Sequence, residues 1–228
     1  MRHEMKFEIS YVEYMILRGR LRAFLQLDKH TVSPEGYFIR SIYFDSYNLN
    51  ALEEKNSGIM RREKYRIRYY NGNMDKCMLE CKIKQGTRIQ KESCPLTRKQ
   101  AEDLITGNVQ CENLPTDDLY RRLCLKIKNE GYKAKVVVDY VREAYVYPLS
   151  NLRITFDKEL ASGCVENFRE NKRNIPNIYR DKKMILEVKY DEIIPQHISE
   201  ILSSVRMVRC AASKYTMCIM NNMERTNI

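Results

Sequence analysis

The chain has no tryptophan and only three histidines, His3, His30 and His197, none of them beside a serine or cysteine in a recognised nucleophile arrangement. Histidine-centred catalysis is therefore not expected. It has no GxxxxGK[ST] phosphate loop and no GxGxxG turn, which removes the two commonest nucleotide-binding loops. No stretch approaches the roughly 20 consecutive apolar residues of a membrane-spanning helix, and residues 1–8 are charged, so neither a secretory leader nor a membrane segment is expected. The eight cysteines form no CxxC pair, which predicts reduced, packing thiols and a cytoplasmic location. Long repeats, low-complexity segments and linkers are also lacking, so the 228 residues read as one domain, 1–228.

What the chain has in excess is positive charge: 40 Lys and Arg against 30 Asp and Glu, a net charge of +10. Such a balance points to polyanions, whether nucleic acid, an anionic membrane surface or a phosphate-rich small molecule. Nucleic acid is not expected as the partner. The 16 tyrosines fall mostly within apolar strand faces, and no tryptophan is there to extend a stacking platform.

Three apolar segments carry a glutamate and a lysine two residues apart: Glu4 with Lys6, Glu80 with Lys82, and Glu187 with Lys189. The side-chain period of a strand is two, so each pair shares one face while Met5 and Phe7, Leu79 and Cys81, or Leu186 and Val188 take the other. Those charged faces belong either to water or to the lumen of a closed barrel that holds a charged ligand.

Helix and strand signals alternate along the chain. Ser10 with Glu13 reads as a capping box, followed by Val12, Met15, Ile16, Leu21, Phe24 and Leu25 as a helical core stripe. A strand is predicted over 37–45 and a short helix over 47–56. The meander 64–70, 77–84 and 88–95 follows, with turns at Asn71-Gly72-Asn73 and Gln85-Gly86. Thr97 with Gln100 opens a helix ending at Gly107, and 117–129 reads as another. Strands are predicted over 133–140, 143–147, 152–157 and 184–190, a polar loop over 167–181, and helices over 195–204 and 211–222. Eight or nine strands, mostly in hairpins, with helices inserted between them, make the fold class α+β.

Several strands add cations to the same kind of face: Arg66 and Arg68, Lys82 and Lys84, Arg142, Arg153. Arginine offers a planar fork to two phosphate oxygens and lysine a compact charge, so a lumen lined this way suits a chain of phosphates. A glutamate or two among them suits Mg²⁺ or Mn²⁺, which takes carboxylate and phosphate oxygens together. Ser213-Lys214 at a helix start is a further phosphate candidate, with a plain helix cap as the alternative.

Together these residues resemble the VTC domain, the polyphosphate polymerase branch of the triphosphate tunnel metalloenzymes. The matching stretches are Arg2-His3-Glu4-Met5-Lys6-Phe7, Ser41-Ile42-Tyr43-Phe44-Asp45, Arg66-Ile67-Arg68-Tyr69-Tyr70, and Glu80-Cys81-Lys82 with Lys91 beyond it. Tyr140-Val141-Arg142, Leu152-Arg153-Ile154-Thr155-Phe156-Asp157, Leu186-Glu187-Val188-Lys189 and Ser213-Lys214-Tyr215 continue the match in family order. The resemblance implies an antiparallel, eight-stranded closed barrel, a triphosphate tunnel, with flanking helices. Lys6, Arg66, Arg68, Lys82, Lys91, Arg142, Arg153 and Lys214 would then hold phosphates. Tyr140, Ser213, Lys84 and Lys189 would assist, and Glu187 would hold the metal ahead of Glu4 and Glu80. The implied partners are ATP and inorganic polyphosphate, the implied cofactor Mn²⁺ or Mg²⁺, and the implied reaction transfer of the ATP γ-phosphate to a growing chain.

One departure bears on the chemistry. Hydrolytic relatives of the CYTH type carry Glu-x-Glu-x-Lys on the first strand, and here the first glutamate position is Arg2. Fewer carboxylates leave less support for activating water, which favours a polymerase over a triphosphatase. Hydrolysis of tripolyphosphate or a nucleoside triphosphate, and polyphosphate binding without turnover, stand as the alternatives.

Overall fold

The computed structural model describes residues 3–86, 88–110, 118–170, 175–179, 181–211 and 213–226. Arg2, Cys111, Asp117 and positions 171–174 of the polar stretch, on which sequence expectations fall, lie outside the described residues. The strands are β1 (His3–Ile9), β2 (Gln26–Leu27), β3 (Tyr37–Asp45), β4 (Arg61–Tyr70), β5 (Asn73–Gln85), β6 (Arg88–Leu96), β7 (Lys133–Val146), β8 (Arg153–Gly163), β9 (Met184–Tyr190) and β10 (Val208–Arg209). The helices are α1 (Tyr11–Leu21), α2 (Asn50–Asn56), α3 (Arg98–Thr106), α4 (Leu119–Glu130), α5 (Gln196–Ser203) and α6 (Lys214–Thr226), with a 3₁₀ turn at Val165–Arg169.

The strands hydrogen-bond in the order β10-β1-β9-β8-β7-β3-β4-β5-β6, with β2 added to β7. The α+β class with flanking helices is as expected; the eight-stranded closed barrel is not. Among the described residues the sheet has ten strands and is not closed, its path ending at β10 on one side and β6 on the other. Two of the ten, β2 and β10, are two residues long, too short to carry a readable alternation. β6 is built as an edge: mostly exposed, charged at Arg88 and Lys91, and containing Pro95. The two strands expected at 133–140 and 143–147 are one continuous β7.

By contacts the chain forms two compact units, one of Met1–Phe38, Asp139–Ala161 and Asn177–Met217, the other of Ile39–Val138, Ser162–Pro176 and Cys218–Ile228. In the first, Leu152, Ile154, Phe156, Met184, Leu186, Val188 and Ile9 make an apolar strand face, covered by Tyr14, Leu17 and Leu21 of α1 and Ile198 and Leu202 of α5. The predicted α1 stripe is therefore rotated. Val12, Met15, Ile16 and Phe24 are exposed, while Tyr14 and Leu17 go inside with Leu21 and Leu25. Apolar residues run around much of α1, so periodicity alone did not distinguish its two faces. The capping box itself is present: Glu13 N–H donates to Ser10 Oγ at 3.3 Å, and Ser10 N–H to Glu13 Oε2 at 2.6 Å.

A buried carboxylate fastens α1 to the sheet. Glu143 on β7 accepts from Tyr14 Oη at 2.6 Å, Arg18 Nε at 2.7 Å and Lys158 Nζ at 2.8 Å. Burial pushes its pKa up, but the bonds from Lys158, Tyr14, Tyr145 and Arg18 outweigh that and bring it down to about 2.

The loop before β3 meets the same stretch of β7 at Gly36, whose φ of +105° only glycine adopts without strain. A Cβ there would lie 2.1 Å from the Arg142 carbonyl oxygen. Gly36→Ala should therefore lose about 1–3 kcal/mol of stability, measured by chemical denaturation. An unchanged midpoint would show that this approach is not tight.

In the second unit Ile42, Phe44, Tyr65, Ile67, Leu79 and Cys81 form the buried strand face, and α3 and α4 pack on β5 and β6. Ala101, Leu104 and Ile105 of α3 and Leu119, Tyr120, Leu123 and Cys124 of α4 are buried. The Thr97–Gln100 box and the Gly107 left-handed cap bound α3 as its sequence predicts. All seven described cysteines are free thiols, and Cys77, Cys81, Cys124 and Cys218 are buried.

Candidate functional site

In the first unit the register of β1, β9 and β8 arranges side chains in rows. Glu4, Lys189 and Arg153 form one row; Lys6, Glu187 and Thr155 the next; Glu8, Ile185 and Asp157 a third. The middle of this face is not solvated, because Asp157 is 0%, Thr155 3% and Glu187 5% exposed, while Glu4 at its edge is exposed. Buried charge at that depth must be paired.

The pairing is dense. Asp157 accepts from Arg142 twice, Nε to Oδ1 at 2.7 Å and Nη2 to Oδ2 at 2.8 Å, and Lys214 Nζ lies 2.5 Å from Oδ2. Burial pushes the Asp157 pKa up, yet the Arg142 and Lys214 charges bring it down to about 2. Both cations also lie over the Tyr140 ring, Arg142 at 5.4 Å and Lys214 at 4.9 Å from its centroid.

Glu187 binds Lys189 Nζ at 2.8 Å through Oε1, and Arg142 Nη2 lies 3.6 Å from Oε2. Its burial favours the neutral acid, but Lys189, Lys214, Lys6 and Arg142 hold its pKa well below the ordinary carboxylate value. Glu4 pairs with Lys6 at 3.0 Å and stands 3.9 Å from Lys189. Arg153 is held by Asp28 at 2.8 Å and donates to Tyr37 Oη at 3.3 Å. Ser213 caps α6, its Oγ accepting from Thr216 N–H at 3.4 Å.

The second unit carries its own charged rows across β3, β4, β5 and β6. Ser41, Arg68, Met78 and Pro95 form the first and Tyr43, Arg66, Glu80 and Ser93 the second. Glu80 is buried and takes Arg66 Nε at 2.7 Å, Lys91 Nζ at 2.5 Å and Arg68 Nη1 at 3.7 Å. Burial raises its pKa, but Arg66, Arg68 and Lys91 lower it further, to about 2. Arg66 also donates to Tyr43 Oη at 2.9 Å and Arg68 to Ser41 Oγ at 3.2 Å.

Because Arg66 from β4 and Lys91 from β6 both reach Glu80 on β5, these three share one face. Two residues on, the next row is Lys64, Lys82 and Lys91, and then come Arg62 and Lys84. Like charges on adjacent strands repel, and an anion joining them relieves the repulsion.

Every cation singled out in the sequence thus lies in one of two groups: Lys6, Arg142, Arg153, Lys189 and Lys214 in the first unit, Arg66, Arg68, Lys82, Lys84 and Lys91 in the second. Sequence reading missed Arg62 and Lys64, although Arg62-x-Lys64-x-Arg66-x-Arg68 carries the two-residue step in plain sight. It also missed Asp28 and Asp157 as anchors of Arg153, Arg142 and Lys214. No local pattern marks them.

A divalent metal finds limited protein support. Among the described residues no three His, Cys, Asp or Glu side chains are grouped to hold one. Asp157 and Glu80 are committed to cations and Glu4 is paired with Lys6, which leaves Glu187, with Oε2 only loosely engaged, as the carboxylate best able to contribute. One carboxylate fits a cation that arrives with phosphate oxygens of its own.

Comparison with known proteins bears on the family and the fold. The model of the VTC domain matches residues 1–221. The structure is similar to a proposed adenylate cyclase from Bacillus halodurans, with a TM-score of 0.51 and 13% identity over 88% of this chain and 85% of that one. A second proposed adenylate cyclase, from Vibrio parahaemolyticus, aligns with a TM-score of 0.45 and 8% identity over 89% and 83%. The first likeness is one of fold. No curated protein sequence matches this chain.

Proposed function

Because this chain belongs to the VTC domain family, a triphosphate tunnel fold, we propose that it is a metal-dependent polyphosphate polymerase that uses ATP. The observation that carries the reading is the pairing of the buried carboxylates, Asp157 with Arg142 and Lys214 and Glu187 with Lys189. Asp157 and Glu187 lie amid Lys6, Arg142, Lys189 and Lys214, with pKa values pulled below the carboxylate range. A general base that activates water works best with a pKa near the working pH, and these two are far below it. The same cations are well suited to hold phosphate oxygens. Phosphoryl transfer asks chiefly for positioning and charge stabilisation.

In the reaction, the bond between the γ-phosphorus and the β,γ-bridging oxygen breaks. A terminal oxygen of the polyphosphate chain forms the new bond to that phosphorus, and ADP leaves with the bridging oxygen. In the first unit Arg142, Lys6 and Lys214 would neutralise charge on the transferring group; Arg66, Arg68, Lys82 and Lys91 make a cationic face of the second unit, suited on its own to hold phosphates. When bound, Mn²⁺ or Mg²⁺ supplies Lewis-acid charge at the phosphate oxygens, and Glu187 is the residue that would hold it.

Incubation with ATP and Mn²⁺ tests this directly. The expected products are ADP and a polymer that stains on a gel, with little free orthophosphate. Orthophosphate released without polymer would instead identify a triphosphatase, and tight binding with no ATP consumed a binding module.

A further inference from the structure

On β8, Thr155 lies opposite Glu187 in the same row as Lys6, and it is 3% exposed. Its Oγ1 is buried and has no hydrogen-bond partner among the described residues. Two residues along the same face, the Nε of Arg153 is likewise buried without a partner, although the other arm of that guanidinium is held by Asp28 and Tyr37. A buried hydroxyl left unsatisfied is destabilising, and the sheet gains nothing structural from it, since valine has the same shape and equal liking for strands.

Two orphaned groups on one face of one strand call for a common partner. Arginine Nε–H can only donate, so that partner must accept, which excludes a metal ion as the group that satisfies both. Around them the cations Lys6, Lys189, Arg142 and Lys214 outnumber the carboxylates Glu187 and Asp157, which favours an anion. We infer that the Thr155 hydroxyl is a direct phosphate ligand, donating to an oxygen of the bound triphosphate or polyphosphate while Arg153 Nε donates beside it. This deepens the functional reading above and rests on it.

The experiment compares wild type, Thr155→Val and Thr155→Ser, each first without ligand and then titrated with inorganic tripolyphosphate in EDTA. Thr155→Val should keep or raise the ligand-free thermal midpoint, because it removes an unsatisfied hydroxyl. It should also weaken tripolyphosphate binding about tenfold or more, the scale of a lost hydrogen bond to a charged group. Thr155→Ser, which keeps the hydroxyl, should restore most of the affinity.

A lower ligand-free midpoint with unchanged affinity would make the hydroxyl structural and overturn the inference. So would an effect of Thr155→Val seen only with Mn²⁺ present, which would make Thr155 a metal ligand. If wild type binds no tripolyphosphate at all, the phosphate reading of the whole site fails, and this assignment falls with it.

Discussion

Asp157→Ala should destabilise the protein by about 3–5 kcal/mol, seen as a large fall in the urea midpoint, because breaking a buried ion pair strands its partners. Asp157 is fully buried on β8, and two cations depend on it: Arg142 by a two-pronged hydrogen bond and Lys214 at 2.5 Å. Neither has another acid at comparable distance in this group, since Glu187 stands 3.6 Å from Arg142 and is already paired with Lys189. Removing Asp157 would therefore leave two buried positive charges facing each other. Asp157→Asn keeps the shape but not the charge and should fall between Ala and wild type. An alanine variant as stable as wild type would show that water reaches both cations freely.

The same carboxylate sets an acid limit. Its pKa falls from an ordinary 3.8 to about 2 on folding, so in that interval the unfolded chain binds the proton more readily than the folded one. The stabilisation is present above about pH 4 and is lost as pH falls towards 2. Glu143 and Glu80, each lowered from 4.5 to about 2, act in the same direction and window. Acid unfolding should accordingly steepen below about pH 4, and Asp157→Asn should remove part of that slope. A denaturation midpoint that stays level from pH 5 to pH 2 would contradict the pairing.

Glu187→Gln should lower metal-supported ATP turnover by about 100-fold or more, the scale seen when a group that stabilises transition-state charge is removed. The metal-free face should respond in the opposite sense. Losing one negative charge beside Lys6, Lys189, Arg142 and Lys214 leaves them more attractive to phosphate, so ATP should bind as well or more tightly in EDTA. This opposition separates a metal-holding role from a general loss of structure, which would weaken both. Wild-type turnover in Glu187→Gln with Mn²⁺ present would take Glu187 out of the reaction.

The two capping boxes, at Ser10 and Thr97, and the bounds of β3 and β9 could be read locally, because a cap and a two-residue alternation are completed within about ten residues. That certain strand faces are charged followed from the same alternation. Whether those faces meet water did not, because alternation looks alike on either kind of surface. Burial of Asp157, Thr155 and Glu187 answers it for the first unit; in the second, Glu80 and Arg68 are buried while Lys82 and Lys91 on the same face are exposed.

Local reading failed where the deciding partner lies far along the chain. Tyr14 and Leu17 were chosen over Val12 and Met15 as the inner face of α1 because β8, β9 and α5 pack there and Glu143 waits for the Tyr14 hydroxyl. The open sheet of ten strands depends on which edges find partners, and two of those strands exist only by pairing.

By itself, then, the amino-acid sequence determined most of the elements, the charged and apolar alternation of the longer strands, and the excess of cations, since each is a property of neighbours on the chain. Tertiary structure alone decided that Asp157 answers Arg142 and Lys214, that Glu80 answers Arg66 and Lys91, and that Glu187 and Thr155 stand side by side. Ion pairs and rows of a sheet form between residues brought together in space, where the low dielectric of a buried face makes each pairing strong and each omission costly.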